Sequence, residues 1–198
     1  MDIKMLGNTK TPSVIVIGVF HGDEPQGEFL IQKYCHQAPK TNLLMVPCLN
    51  QYGFKHNVRT NINGIDLNRN FPTKNWEKTE KNEFYGGEKA ASEPETQFII
   101  NIVEKFKPKV ILTLHAPYKI VNYDGANSES DKKIIEKISK IMDYPIEPSI
   151  GYPTPGSFGT WAGVERKILT ITLELDETKK TEELEKPVFE VFKYLEGI

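Results

Sequence analysis

Cysteine is scarce. Cys35 and Cys48 are the only two in 198 residues, too few for a disulfide framework and not in the CxxC spacing of a structural zinc site. Both are expected as buried free thiols. No window approaches the roughly 18 consecutive apolar residues of a membrane span. The opening MDIKMLGNTKTPSVIVIG lacks the basic head and long apolar middle of a secretory leader, so the expected compartment is the cytoplasm and no membrane contact is expected. Charge of one sign is not in excess: 25 Lys and Arg against 27 Asp and Glu leave a net charge of -2, which gives no general attraction for nucleic acid or an anionic membrane. There is no GxxxxGK phosphate loop, and GSFG from Gly156 is not the GxSxG nucleophile elbow.

What remains is an ordinary globular composition, 38% hydrophobic and 26% charged, on a chain long enough for one core and short for two. Four runs rich in branched aliphatics predict buried strands: SVIVIGVF from Ser13, NLLMVPCL from Asn42, KVILTLH from Lys109 and ILTITLEL from Ile168. Between and after them EPQGEFLIQKYCH, SEPETQFIINIVEKFK, SESDKKIIEKISKIM and EELEKPVFEVFKYLEGI have helical spacing. The second opens on Ser92 three residues before Glu95, the pattern of a capping box, with Pro94 in the first turn. Alternating strands and helices argue for a helix-covered, mostly parallel sheet. Two segments without a period, Gln51 to Gly87 and Tyr144 to Thr160, read as long functional loops.

In open α/β sheets ligands bind beyond the carboxyl ends of the strands. What stands there is His21 with Asp23 and Glu24, then NQYGFKHNVRT, then His115, then Glu174. Two His and one carboxylate are a common catalytic zinc set, because such a set leaves a coordination position open. His21 and Glu24 in HxxE spacing can reach one ion together, and His115 from another strand end would complete the three, although an isolated HxxE also occurs by chance without a metal. Glu174 has two readings: a buried general base, or a residue on an outward pleat, since Thr170, Thr172 and Glu174 alternate with Ile171, Leu173 and Leu175. RTNINGIDLNRNFP offers Arg59, Asn68 and Arg69 for a carboxylate or an oxyanion, with Gly64 available for a positive φ. The Lys- and Glu-rich stretch from Glu77 to Lys89 reads as a solvated face.

HGDE, GIDLNRNFP, ASEPET, LTLHAP and ITLELDE, in this order between Val14 and Glu174, resemble the metallocarboxypeptidases of the zinc carboxypeptidase A superfamily. SEPET and PTPGSFGTW look most like its small bacterial murein peptide amidase branch. The resemblance implies one α/β domain over residues 1–198, a mostly parallel, mixed central β-sheet flanked by helices, and one zinc ion per chain on His21, Glu24 and His115. It implies Glu174 as general base, Arg59 polarising the scissile carbonyl, Asn68 and Arg69 gripping a free carboxylate, and Asp66 orienting a ligand His. Tyr152 is the nearest candidate for the family's mobile tyrosine, and Phe158 falls near the position that reads the released side chain. The implied partner is a small peptide with a free carboxylate, in that branch a murein peptide cut between γ-D-glutamate and meso-diaminopimelate. The aspartoacylase and succinylglutamate desuccinylase branch shares the HxxE and NRxF motifs, and a zinc-binding relative without turnover would share the fold.

Overall fold

Valine and isoleucine favour extended backbone because branching at Cβ restricts χ1. In the computed structural model, which describes residues 3–147 and 151–198, one sheet holds β1 (Leu6–Gly7), β2 (Val14–Gly18), β3 (Leu44–Val46), β4 (Val110–His115), β5 (Ile120–Asp124) and β6 (Leu169–Glu174). The order is β1-β3-β2-β4-β6-β5. The four expected strands are mutually parallel, and β1 and β5 add antiparallel edges that the sequence reading did not anticipate.

The helices are α1 (Gln26–Gln37), α2 (Gln51–His56), α3 (Pro94–Phe106), α4 (Glu129–Met142) and α5 (Thr181–Leu195). Alternate residues of β2 serve opposite faces. Val14 and Val16 pack with Leu30 of α1, Ile135 of α4 and Val188 of α5. Ile15 and Ile17 pack with Ile99 and Val103 of α3 and with Phe71 and Trp161. Both faces are therefore covered, which is why β2 is buried along its whole length. Among the described residues no helix is long and apolar enough to cross a membrane.

Several expectations need correction. The stretch from Gln51 to Gly87 is not bare loop: it contains α2 and a single 3-10 turn at Leu67–Arg69. The second loop ends in a π-helical turn at Thr160–Val164, and its residues 148–150 lie outside the described ones. Ser92 does not cap α3. Pro94 is the first helical residue, the cap position is Glu93 without a side-chain bond, and the Ser92 hydroxyl instead accepts from Asn70 Nδ2 at 3.0 Å and donates to Glu93 Oε1 at 2.6 Å. The capping box is on α4, between Ser128 and Asp131. Cys48 is buried as expected, whereas Cys35 is half-exposed, with Sγ 3.3 Å from Met45 Sδ.

The connection after β2 leads to β3 on one side, and β4 lies on the other. The chain thus reverses its winding direction at the carboxyl ends of β2 and β4, and a crevice opens there.

Candidate active site

The strand-to-helix turn after β2 is built under strain. Val19, a β-branched residue, has φ +53, a left-handed conformation costing on the order of 1–3 kcal/mol. Neighbouring bonds hold it: Asn50 N donates to Val19 O at 2.9 Å, and Asn50 Nδ2 donates to Phe20 O at 3.3 Å and to Arg59 O at 3.0 Å. Gly22 N also donates to Arg59 O, at 3.3 Å. Gly22 matters here for closeness and not for a positive φ, because a Cβ on it would stand 1.9 Å from the carbonyl carbon of Gly53. Asn50 and Gly22 thereby lock the His21 turn to the loop that carries Arg59.

That turn brings His21, Glu24 and His115 together. His21 Nδ1 is 2.7 Å from Glu24 Oε1 and His115 Nδ1 is 2.9 Å from Glu24 Oε2. One ligand atom from each of the three lies within 4.8 Å of the others, a two-nitrogen, one-oxygen set that fits zinc. Asp23, next to them in sequence, is not part of the group. The far nitrogen of His21, Nε2, is 3.2 Å from Asp66 Oδ1, which leaves Nδ1 facing Glu24. Asp66 Oδ2 accepts from Arg59 Nε at 3.0 Å and Nη2 at 2.8 Å, so one buried carboxylate orients a histidine and an arginine together. Burial works against charge on His21, but Glu24 and Asp66 outweigh it and raise the pKa to about 9. Burial likewise opposes ionisation of both acids, and the histidines outweigh it at Glu24, as do His21, Arg59 and Arg69 at Asp66. Both carboxyls are held well below the usual carboxylate range.

Glu174 ends β6, paired in register with His115. It is buried, not on an outward pleat; Thr172 is the half-exposed residue of this strand. Glu174 Oε2 is buried without a hydrogen-bond partner among the described residues, and burial pushes its pKa up. Arg69 and Asn68 come from the 3-10 turn that Asp66 caps through Asn68 N at 2.8 Å. Asn68 Oδ1 accepts from Phe158 N at 2.9 Å, leaving the amide NH2 as the group free to donate. Arg69 is 6% exposed and donates to Asn68 O at 2.7 Å, and no carboxylate pairs with it among the described residues.

His21, Glu24, Arg59, Asn68, Arg69, His115 and Glu174 line one cavity of about 260 Å³, together with Phe84, Tyr118, Tyr152 and Glu177. Gly64 has the expected positive φ, +70. Tyr152, 43% exposed, is on the rim and interacts with Tyr118 across it. Phe158 departs from expectation. It is 2% exposed within Phe20, Phe71 and Trp161, so its ring belongs to the core and only its backbone serves the site. Sequence reasoning missed Tyr118, three residues after His115, and Phe84, hidden in the run read as a solvated face.

Comparison with known proteins agrees with this geometry. Residues 3–192 match the family described as zinc carboxypeptidase, peptidase family M14. Murein peptide amidase A of Escherichia coli K12 is 31% identical over 193 residues, covering 89% of this chain and 76% of that protein. Its counterpart from Vibrio campbellii is 37% identical over 147 residues, 67% of this chain and 54% of that one. The crystal structure of the murein-tripeptide amidase of Escherichia coli O157 superposes with a TM-score of 0.81 at 27% identity, covering 96% of this chain and 83% of that one. Carboxypeptidase A from Helicoverpa armigera shares the fold, with a TM-score of 0.75 at 17% identity over 94% of this chain and 60% of that one. The chain belongs to the zinc carboxypeptidase family of metal-dependent hydrolases.

Proposed function

We propose that this chain, acting as one catalytic domain over residues 1–198, hydrolyses an amide next to a free carboxylate, with the γ-D-glutamyl–meso-diaminopimelate bond of murein peptides as its substrate. The observation that carries this reading is Arg69, a buried guanidinium with no carboxylate partner among the described residues, in the same cavity as His21, Glu24 and His115. A buried cation that no carboxylate contacts is costly. A substrate carboxylate removes that cost.

Zinc, one ion per chain on His21, Glu24 and His115, would supply the Lewis acidity that makes a water nucleophilic near neutral pH and polarises the amide carbonyl. Arg69 and the NH2 of Asn68 hold the carboxylate of the residue to be released. Glu174 accepts the proton of the attacking water and delivers it to the departing amine, and its raised pKa suits both transfers. Arg59 has two nitrogens committed to Asp66, so Nη1, 3.9 Å from Glu24, is the donor left for the charge that develops on the carbonyl oxygen. Tyr152 covers the bound substrate from the rim. The names of the amidase relatives supply the murein peptide, and recycling of cell-wall fragments in the cytoplasm is the expected setting.

Incubating the purified, zinc-loaded protein with L-Ala-γ-D-Glu-meso-diaminopimelate should release free diaminopimelate, detected by chromatography. N-acetylaspartate and succinylglutamate should stay intact. If those two are cleaved and the tripeptide is not, the deacylase reading replaces this one. If the tripeptide and a panel of ordinary C-terminal peptides all survive, the amidase reading fails.

A further inference from the structure

One segment, from Glu77 to Tyr85, lines cavities that adjoin the site and reaches into the site itself at Phe84. Lys81, Asn82, Glu83 and Tyr85 line a cavity of about 530 Å³ that shares Asp23 and Arg59 with the site. Glu77, Thr79 and Phe84 line another of about 470 Å³ that shares Arg69 and Tyr152 with it. Phe84, 40% exposed, is shared by this second cavity and the site, an apolar ring open to solvent beside charged groups. Its ring faces two cations at once: Arg59 Cζ is 5.0 Å and Arg69 Cζ 5.9 Å from its centroid, both within the range of a cation–π contact.

Phe84 is itself held firmly by its neighbours. Its N donates to Asn82 Oδ1 at 2.8 Å, Asp66 N donates to Tyr85 O at 2.9 Å, and Asn70 Nδ2 donates to Gly86 O at 2.7 Å. The ring is thus tied to Asp66, the residue that grips Arg59, and to the turn that presents Arg69. Two guanidinium groups close enough to share one ring repel each other, and the negative face of the ring offsets part of that repulsion. Hydrogen bonds already commit part of each guanidinium and limit where a ligand can reach it. At Arg59 the Nε–Nη2 edge is already on Asp66, and at Arg69 one Nη1 bond goes to Asn68 O.

We propose that Phe84 is the positioning residue that holds Arg59 and Arg69 as a fixed pair, setting the spacing between the scissile carbonyl and the released carboxylate. The inference rests on the roles given to the two arginines above. It makes the segment around Phe84 a determinant of specificity for substrates whose carboxylate lies one residue beyond the cleaved amide.

The test compares Phe84→Ala, Phe84→Leu and Phe84→Tyr, each first shown to melt close to the parent. The Nε–Hε resonances of Arg59 and Arg69 in 15N-labelled, metal-free protein report positioning without turnover. Phe84→Ala and Phe84→Leu should shift both resonances and mobilise both side chains, whereas Phe84→Tyr, which keeps the aromatic face, should leave them near the parent. On zinc-loaded protein, affinity for diaminopimelate and KM for the tripeptide should both worsen about tenfold in the Ala and Leu variants, the size expected for two lost cation–π contacts, and recover in Tyr. Unchanged arginine resonances in Phe84→Ala overturn the proposal, as does full rescue by leucine, which would make the ring only a filler of space. A parent that releases no diaminopimelate, with arginine resonances that still respond to Phe84, defeats the amidase reading and leaves the positioning role standing.

Discussion

Glu24 and Glu174 are the same residue type in two environments, and the environments push them apart. Glu24 lies between two imidazole nitrogens that overcome its burial and keep it ionised, as a metal ligand must be. Glu174 has an oxygen with no hydrogen-bond partner among the described residues, and burial raises its pKa, as suits a group that takes up and returns a proton. Glu174→Gln keeps the shape and removes the basicity. We expect kcat to fall about 10²- to 10⁴-fold, with KM and bound metal unchanged; turnover equal to the parent would remove Glu174 from the mechanism. At this scale the sequence was informative where chemistry sits in a short motif, as at His21 with Glu24 and at Asp66 with Arg69. It was ambiguous at Glu174, whose alternation with Leu173 fits an outward pleat as well as a buried base, because burial depends on β5 and the loop before it, which alternation within one strand cannot report. Phe84 and Tyr118 were missed because their role exists only across space: Phe84 meets Arg59 from 25 positions further along the chain.

Elements were legible where one periodicity dominates and obscure where edges and turns decide. The continuous apolar runs gave all four parallel strands. β5 did not stand out, because only Val121 of IVNYD is fully buried and its pairing with β6 is a sheet-edge contact. α2 is six residues with a glycine inside, too short for a helical period to show. The two serines before helices look alike in sequence, yet only Ser128 caps. Ser128→Ala should therefore cost about 1 kcal/mol and lower Tm by about 2–4 °C, through the bond from Asp131 N at 3.1 Å. Ser92→Ala should leave the end of α3 intact in amide exchange; a loss of protection confined to the start of α3 would show that Ser92 caps it after all. A second element-level joint is Asp176, just past β6. Its carboxylate accepts from the Thr178 hydroxyl at 2.6 Å and pairs with Lys119 at 2.9 Å, its N donates to Tyr144 Oη, and its O accepts from Gln26 of α1. Thr178 first and Lys119 second pull its pKa down from 3.8 to about 2. A lowered pKa means that the ionised form stabilises the fold: the contribution is complete above the unfolded value and disappears as pH falls from about 4 toward 2. Asp176→Asn should flatten the fall of Tm over that window, and a parallel fall in parent and variant would show that Asp176 does not carry it.

At the scale of the whole molecule, the ligands His21 and Glu24 follow β2 while His115 closes β4, and these two central strands are joined by five registered pairs from Val14–Val110 to Gly18–Leu114. An ion held by all three ties together the open ends of the strands at the reversal of winding, where the strained Val19 and a Glu174 oxygen without a hydrogen-bond partner among the described residues concentrate unfavourable energy. Binding there is linked to global unfolding, because His115 lies 91 positions from Glu24 along the chain and meets it only in the fold. Zinc in 100-fold excess over its Kd should add about 2.7 kcal/mol, and at about 2–4 °C per kcal/mol for a chain of this size Tm should rise by about 5–10 °C. The size of the shift, and not the absolute Tm, is the quantity to compare among variants, since His115 also stacks on Phe20 at 5.5 Å and its removal loosens the core in the metal-free protein as well. His115→Ala should lose most of the zinc-induced shift and the bound metal with it. Asp23→Asn, beside the ligands in sequence but outside their group, should keep both. A shift that survives in His115→Ala but disappears in Asp23→Asn would move the metal out of the crevice between β2 and β4.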